Sequence, residues 1–219
     1  MKKSIKKQKK QSEILLFSYF LFYGLQPLVV YYAGSVYGRI TAMLITDLLY
    51  VLFLFVMCLP DLFANLEKCR IKDIKTVLLI VVALFSMNIF FSFMTSFLKL
   101  TAPENEMQLM QLFETAPVYF VLKACLIGPF IEEMIFRYSV HKCFSYPYRI
   151  YISGFLFGMM HMISTLLSGN YMNMIYIVLY AGTGLLLSYV YEKNQNIFTV
   201  ISGHAMYNLI AVMMVIFYG

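Results

Sequence analysis

Seven apolar runs, each about as long as a helix needs to be to cross the hydrocarbon core of a bilayer, follow one another along this 219-residue chain. Charged residues make up only 13% of it, and its mean hydropathy is +0.75, far from the balance of a soluble protein. The sequence therefore predicts an all-α, polytopic membrane bundle of about seven transmembrane helices. The runs cover 14–33, 40–59, 76–98, 118–140, 150–167, 172–191 and 197–218.

Lysine and arginine are divided unevenly between the two sets of predicted loops. Six lysines precede the first run, and thirteen of the 17 basic residues fall on the same side as this arm, against only Arg39 and Lys99 on the other side. Because cytoplasmic loops accumulate Lys and Arg, we expect a cytoplasmic N-terminus and an external C-terminus.

The first run is too long to be a cleaved signal peptide. We expect an integral, multi-pass protein, in a bacterial cell membrane. The arm suits contact with the lipid bilayer, and no nucleic acid partner is expected because no folded basic face accompanies it.

The chain divides into three predicted parts. Residues 1–12 form the basic cytoplasmic arm, 13–117 the first three transmembrane helices with an external connector, and 118–219 four helices that hold the candidate site. The connector has apolar residues at helical spacing, so part of it is predicted to be an amphipathic helix on the outer leaflet; an interfacial connector is favoured over a substrate lid.

The four cysteines show no CxxC spacing, which predicts reduced, structural thiols.

Ionisable side chains within the runs need an explanation, since each costs about 3 kcal/mol at mid-membrane on insertion scales. For Asp47 and Lys123, near external helix ends, we favour structural roles, with Lys123 extending to the interface and Asp47 meeting the interface or a partner helix. His141, at the cytoplasmic edge beside Lys142, is expected to be solvated. The full set within the runs is Asp47, Lys123, Glu132, Glu133, Arg137, His161 and His204.

Three of these residues share one predicted depth. Counted along their helices, Glu132, His161 and His204 lie roughly 10 to 17 Å below the inner surface. Three separate helices thus present proton-handling groups at one level. This coincidence predicts an active site within the bilayer.

Spacing within the fourth run separates its two carboxylates. Glu133 and Arg137 are four residues apart, share a helix face and are predicted to form a structural ion pair. Glu132 is rotated about 100° from that face, which leaves it free to act as a general base. Pro129 removes one backbone hydrogen bond just upstream, so a bend is expected there.

The fifth and seventh runs carry the other candidates. Phe157 precedes His161 by one turn, and Gly158 allows close helix approach. His204 and Asn208 are four apart, so the pair can donate two hydrogen bonds to one developing oxyanion, or can serve as packing contacts between helices.

Together these segments resemble the CPBP family of intramembrane proteases, which includes the type II CAAX prenyl endopeptidases and bacterial proteins linked to bacteriocin processing or self-immunity. The family pattern is EExxxR, FxxxH and HxxxN, and here the three motifs begin in order at Glu132, Phe157 and His204. The resemblance covers about 129–208. Tyr138 stands where the family commonly has Gly, and we expect it to narrow the space beside the site.

The resemblance implies a role for each motif residue. Glu132 and His161 would activate a water, and His204 and Asn208 would stabilise the oxyanion of the tetrahedral intermediate. The ion-paired carboxylate and guanidinium would hold the site together.

Metal dependence is left open by the resemblance, because the family has been described both as metalloproteases and as metal-independent glutamate proteases. Glu132, His161 and His204 would be the ligands of a Zn²⁺ ion with one open position. No HExxH motif is present. We favour a reaction that requires no cofactor, with zinc as the alternative.

The predicted function is an intramembrane endopeptidase that hydrolyses a peptide bond in a membrane-embedded or lipidated peptide or protein near the cytoplasmic side. A bacterial role in peptide processing or immunity is favoured over the maturation of prenylated proteins. The alternative is a non-catalytic bacteriocin self-immunity or regulatory membrane protein. A proton-coupled carrier would also bury Glu, His and Arg, but the sequence shows no inverted repeat.

Overall fold

A computed structural model describes residues 2–218 and the side chains of residues 6–217. This part of the chain forms eight helices, with a 3₁₀ turn at Tyr171–Tyr176, and contains no β-strand. The helices are α1 (Lys2–Tyr32), α2 (Val36–Leu66), α3 (Ile71–Phe97), α4 (Glu104–Thr115), α5 (117–143), α6 (Tyr148–Leu167), α7 (Ile177–Asn194) and α8 (Ile197–Tyr218).

Six of the helices are long and apolar enough to cross a membrane, namely α1, α2, α3, α6, α8 and α7 with its preceding 3₁₀ turn. Many of their large apolar side chains remain exposed, as lipid-facing surfaces require. The all-α polytopic fold and the integral, multi-pass membrane location are therefore confirmed. The seventh predicted crossing lies in α5, an irregular helix. The count of seven and the cytoplasmic N-terminus stay predictions.

The irregularity of α5 surrounds Pro129. Two π-helical stretches, Lys123–Ile127 and Glu133–Ser139, flank the short α-helical piece Gly128–Glu132. The Gly128 N–H donates to the Lys123 carbonyl five residues earlier, and a Cβ at Gly128 would lie 2.8 Å from that oxygen. The helix beside Pro129 thus contains two widened turns, a feature that is frequent at functional sites, and the bend itself stays a prediction.

Glycines allow α6 and α7 to pack as the most extensive helix pair of the fold. A Cβ at Gly158 would lie 2.9 Å from the Ala181 nitrogen, and one at Gly184 would lie 2.9 Å from the Gly154 Cα. Because small residues let helix backbones approach closely, this contact sets the distance between the two helices.

The main core surrounds α5. Buried side chains from α1, α2, α3 and α7 belong to the same cluster as Phe136 of α5, among them Tyr19, Leu54, Ile80 and Leu187. Of the first three helices, α1 and α2 pack directly against α5, which carries the EExxxR motif, whereas α3 packs mainly against α8 and α7. Their contribution to the site is to hold α5 and α8 in place.

Asp47 lies at the centre of a buried polar cluster between α1, α2 and α5. Its carboxylate accepts hydrogen bonds from Gln26 (2.9 Å), Tyr119 (2.7 Å) and Lys123 (2.5 Å). Asp47 thus meets a partner helix, one of the two outcomes expected. Lys123 pairs with it instead of extending to the interface, so that part of the prediction is wrong; the reason is that a buried carboxylate lies within its reach.

His141 is buried, which corrects the expectation that it is solvated. Its Nδ1 lies 3.1 Å from Glu192 Oε2, and its Nε2 lies 2.7 Å from Ser188 Oγ. Arg149 Nη2 contacts the same glutamate at 2.5 Å. The short connection 144–147 turns the chain back, so that α6 and α7 close over the end of α5.

Candidate active site

Glu132, His161 and His204 converge from α5, α6 and α8. Glu132 Oε1 lies 4.0 Å from His161 Nε2, and Glu132 Oε2 lies 3.9 Å from His204 Nε2. The side chains of Glu132 and His161 are each 17% exposed and that of His204 is 7% exposed. The structure therefore brings together the three residues that the sequence placed at one depth, in a site that is only partly closed.

The His161 imidazole is oriented by the FxxxH motif itself. Its Nδ1 lies 2.9 Å from the Phe157 carbonyl oxygen, and its ring lies 4.3 Å from the Phe157 ring, centroid to centroid. Since a carbonyl oxygen only accepts hydrogen bonds, Nδ1 carries the hydrogen. The lone pair of a neutral imidazole is then on Nε2, which faces Glu132.

The two carboxylate oxygens of Glu133 contact two different residues. Oε1 lies 2.8 Å from His204 Nδ1, and Oε2 lies 2.9 Å from Arg137 Nε. The Glu133 and Arg137 side chains are fully buried, and the guanidinium carbon lies 4.5 Å from the Phe157 ring centroid. Among the described residues, none of the three guanidinium nitrogens of Arg137 has a hydrogen-bond partner, so its contact with Glu133 is an ion pair. The guanidinium depends on Glu133 for charge compensation, and Glu133 also orients His204.

Asn208 shares a face of α8 with His204, as its spacing predicted. Its amide nitrogen donates a 2.8 Å hydrogen bond to the carbonyl oxygen of Ala124, within the first π-helical stretch of α5. The second N–H of that amide is not used in this bond. Asn208 is thus fixed against the irregular part of α5, and its oxyanion role stays a prediction.

Tyr180 on α7 belongs to the site although no sequence motif marks it. Its ring stacks on His161, with the centroids 4.7 Å apart and an interplanar angle of 23°. Its hydroxyl donates to Glu106 Oε1 on α4 at 3.0 Å. One tyrosine among 18, in an apolar run, offers no signal for this role. The sequence predicts an interfacial connector, and that prediction gives Glu106 no role in the site.

Tyr138 points toward α2. Its hydroxyl donates to Asp61 Oδ2 at 2.6 Å, and the Lys142 ammonium lies 3.8 Å from its ring centroid. The side chain is 2% exposed. The expectation that it narrows the space beside the site is therefore wrong, because the larger side chain fills the contact between α5 and α2.

The donor atoms of the site do not form a ready metal centre. Within residues 6–217, no group of three or more His, Cys, Asp or Glu side chains is arranged to hold a metal ion. The separations of 4.0 and 3.9 Å between Glu132 and the two histidines exceed the roughly 3.3 Å between two ligands of one tetrahedral zinc ion.

Residues 114–210 match the family model Rce1-like, described as type II CAAX prenyl endopeptidase Rce1-like. The matched segment contains all three motifs, so the resemblance to CPBP intramembrane proteases is confirmed there. The match supports a peptidase of the CAAX intramembrane type, acting in a lipid bilayer. Neither a curated protein nor a solved structure matches the chain significantly.

Proposed function

We propose that this chain, whose residues 114–210 match the Rce1-like family model, is an intramembrane endopeptidase that hydrolyses a peptide bond in a membrane-embedded or lipidated peptide or protein, near the cytoplasmic side. One observation carries the proposal: Glu132 lies about 4 Å from Nε2 of both His161 and His204. Those gaps are too long for direct hydrogen bonds and suit a bridging water.

In the proposed reaction, Glu132 takes a proton from the bridging water, while His161 orients that water molecule. The water oxygen attacks the carbonyl carbon of the peptide, and the carbonyl oxygen becomes an oxyanion that accepts hydrogen bonds from His204 and Asn208. Glu132 then delivers the proton to the leaving nitrogen as the C–N bond breaks. The products are a carboxylic acid and an amine.

The different Nδ1 partners of the two histidines suit these separate tasks. In the proposal, His204 carries a hydrogen on both ring nitrogens, so that it donates from Nδ1 to the Glu133 carboxylate and from Nε2 to the oxyanion. Nδ1 of His161 faces a neutral carbonyl oxygen, which suits a neutral imidazole whose Nε2 accepts from water. The pair thus provides one donor and one acceptor beside Glu132.

We propose that this reaction needs no bound metal, because the donor atoms are more widely spaced than zinc ligands are. A purified sample treated with a strong chelator should retain full activity. Activity that disappears with the chelator and returns with added zinc would instead assign Glu132, His161 and His204 as zinc ligands.

Comparative proteomics of membrane-associated peptides tests the function directly. Cells with Glu132→Gln should accumulate uncleaved precursors that are processed in wild-type cells, while the variant stays inserted and folded. Glu67→Gln, which changes an exposed carboxylate at the end of α2, is the matched control and should give the wild-type peptide profile. Identical profiles for wild type and Glu132→Gln would reject the proposal and favour the non-catalytic alternative.

A further inference from the structure

The His161 imidazole is held between two aromatic rings from two helices. Phe157 contacts it from its own helix α6, with the ring centroids 4.3 Å apart, and Tyr180 of α7 stacks on it at 4.7 Å. The Phe157 contact belongs to the recognised motif. The Tyr180 contact depends on the glycine-mediated approach of α6 and α7 and belongs to none of the three motifs.

Tyr180 is in turn fixed by the connector helix α4. Its hydroxyl donates to Glu106 Oε1 at 3.0 Å, and Glu106 is itself only partly exposed. Phenylalanine would stack equally well on an imidazole, so the hydroxyl is needed only for the bond to α4. A continuous series of contacts thus runs from the connector through Tyr180 to His161.

The connector is anchored at a second place. Asn170 in the turn after α6 donates to Glu104 Oε1 at 3.3 Å, and Asn173 donates to the Thr101 hydroxyl at 3.0 Å. These bonds attach α4 to the turn between α6 and α7 without contacting the site. Glu104 and Glu106 are therefore two carboxylates on one short helix, of which only Glu106 leads to His161.

We propose that Tyr180 is a positioning residue for His161, and that Glu106 couples the connector helix α4 to the active site through the Tyr180 hydroxyl. The orientation of the imidazole then depends on the connector being docked. The catalytic consequence of this coupling rests on the peptidase function proposed above, whereas the coupling itself is testable without any substrate.

Carbethoxylation of histidine by diethyl pyrocarbonate, followed by mass spectrometry, measures the coupling. The chain has only three histidines, and buried His141 near the C-terminal end of α5 serves as an internal reference in every molecule. Tyr180→Leu should raise the rate at His161 relative to His141 by about 2- to 10-fold, the factor that corresponds to a lost aromatic stack. An unchanged ratio would reject the positioning role.

Smaller changes test the link to α4. Tyr180→Phe and Glu106→Ala should each raise the His161 ratio, and the double variant should raise it no further, because both remove the same bond. Glu106→Gln keeps an acceptor oxygen and should stay close to wild type. Glu114→Ala, which changes an exposed carboxylate on the same helix, is the matched control and should leave the ratio unchanged. Additive effects, or equal effects of the Glu114 and Glu106 variants, would overturn the coupling.

The catalytic consequence is measured with a quenched fluorescent peptide that carries a prenylated C-terminal segment. Tyr180→Leu should lower kcat more than it raises KM and should shift the pH–rate profile. The reason is that the change misaligns His161 but leaves the substrate-binding site intact. If wild type does not cleave the peptide but the labelling ratios change as stated, the positioning inference stands and the proposed substrate is wrong. If cleavage occurs with unchanged ratios, the positioning inference is wrong.

Discussion

His204 Nδ1 lies 2.8 Å from Glu133 Oε1, although 71 residues separate the two in the chain. The same carboxylate is the charge partner of Arg137, so one buried group supports both a histidine of the site and a buried cation. An acid at this position therefore has a structural and a chemical task. Replacement of Glu133 should therefore lower both the stability and the activity of the protein.

Glu133→Gln should destabilise the protein and also lower its activity. The amide is nearly isosteric but cannot compensate the charge of Arg137, and an uncompensated buried charge costs about 3–5 kcal/mol. Thermal unfolding can be followed in detergent with a thiol-reactive fluorophore, since Cys58 and Cys125 are buried free thiols. Glu67→Gln is again the control. An unchanged unfolding temperature would show that Glu133 does not hold Arg137 in solution.

Asn208→Ala should lower kcat by about 10²–10³-fold if the amide donates to the oxyanion. The lost bond to the Ala124 carbonyl should cost about 1 kcal/mol of stability in addition. Asn194→Ala is a matched control, because that half-buried amide also donates hydrogen bonds, to Asp73 and Thr199, far from the site. It should lose stability without losing kcat. Equal kcat losses in the two variants would remove the oxyanion role.

Much of the site could be predicted because it depends on regular helix geometry. Depth along a helix follows from its rise per residue, so Glu132, His161 and His204 could be placed at one level from their positions alone. Spacing of four residues placed Glu133 beside Arg137 for the same reason. The orientation of each imidazole could not be predicted, since it depends on which acceptor lies next to Nδ1.

The parts that could not be predicted depend on contacts between distant segments. Pro129 predicts a bend, but no pattern in the sequence marks the two π-helical stretches on either side of it. His141 is buried because α6 and α7 bring Arg149 and Glu192 around it. Tyr180 reaches His161 only because α6 and α7 approach across glycines. None of these contacts leaves a periodic signal in the sequence.

The Asp47–Lys123 pair should be structural and separate from catalysis. Lys123→Met leaves a buried carboxylate without its cation and should destabilise by about 3–5 kcal/mol, as breaking a buried pair does. The double variant with Asp47→Asn should be more stable than the sum of the two single changes predicts. Unfolding temperatures of the four proteins give this coupling, and activity per folded molecule should stay at the wild-type level. Strictly additive effects would mean that the two residues do not interact.

Alanine at either glycine of the α6–α7 contact should destabilise the fold. The new Cβ at Gly158 or Gly184 would meet backbone atoms at 2.9 Å, and overpacking of this kind costs about 1–3 kcal/mol. Gly158→Ala should lower activity as well, because it separates the helices beside His161. Gly24→Ala in α1 is the control, since a Cβ there has nothing within 4 Å. Equal unfolding temperatures for Gly24→Ala and Gly184→Ala would contradict this packing.

Glu106 should make stability depend on pH. Burial raises the pKa of its carboxyl above the ordinary value, and the hydrogen bond from Tyr180 offsets only part of that shift. A raised folded-state pKa means that the folded protein binds the proton more tightly than the unfolded chain does. Its stabilising contribution is therefore complete below the unfolded pKa of about 4.3 and is lost as the pH rises through the folded pKa.

Glu106→Gln mimics the protonated carboxyl at every pH. The variant should match wild type in acid and unfold at a higher temperature than wild type at neutral pH, so that the difference between the two grows with pH. Unfolding temperatures measured with the thiol-reactive fluorophore at a series of pH values test this, each referred to the exposed-site variant Glu67→Gln at the same pH to cancel the effect of pH on the dye. A difference that is constant with pH, or that favours wild type at neutral pH, would show that the Glu106 carboxyl is not buried beside Tyr180 in the folded protein.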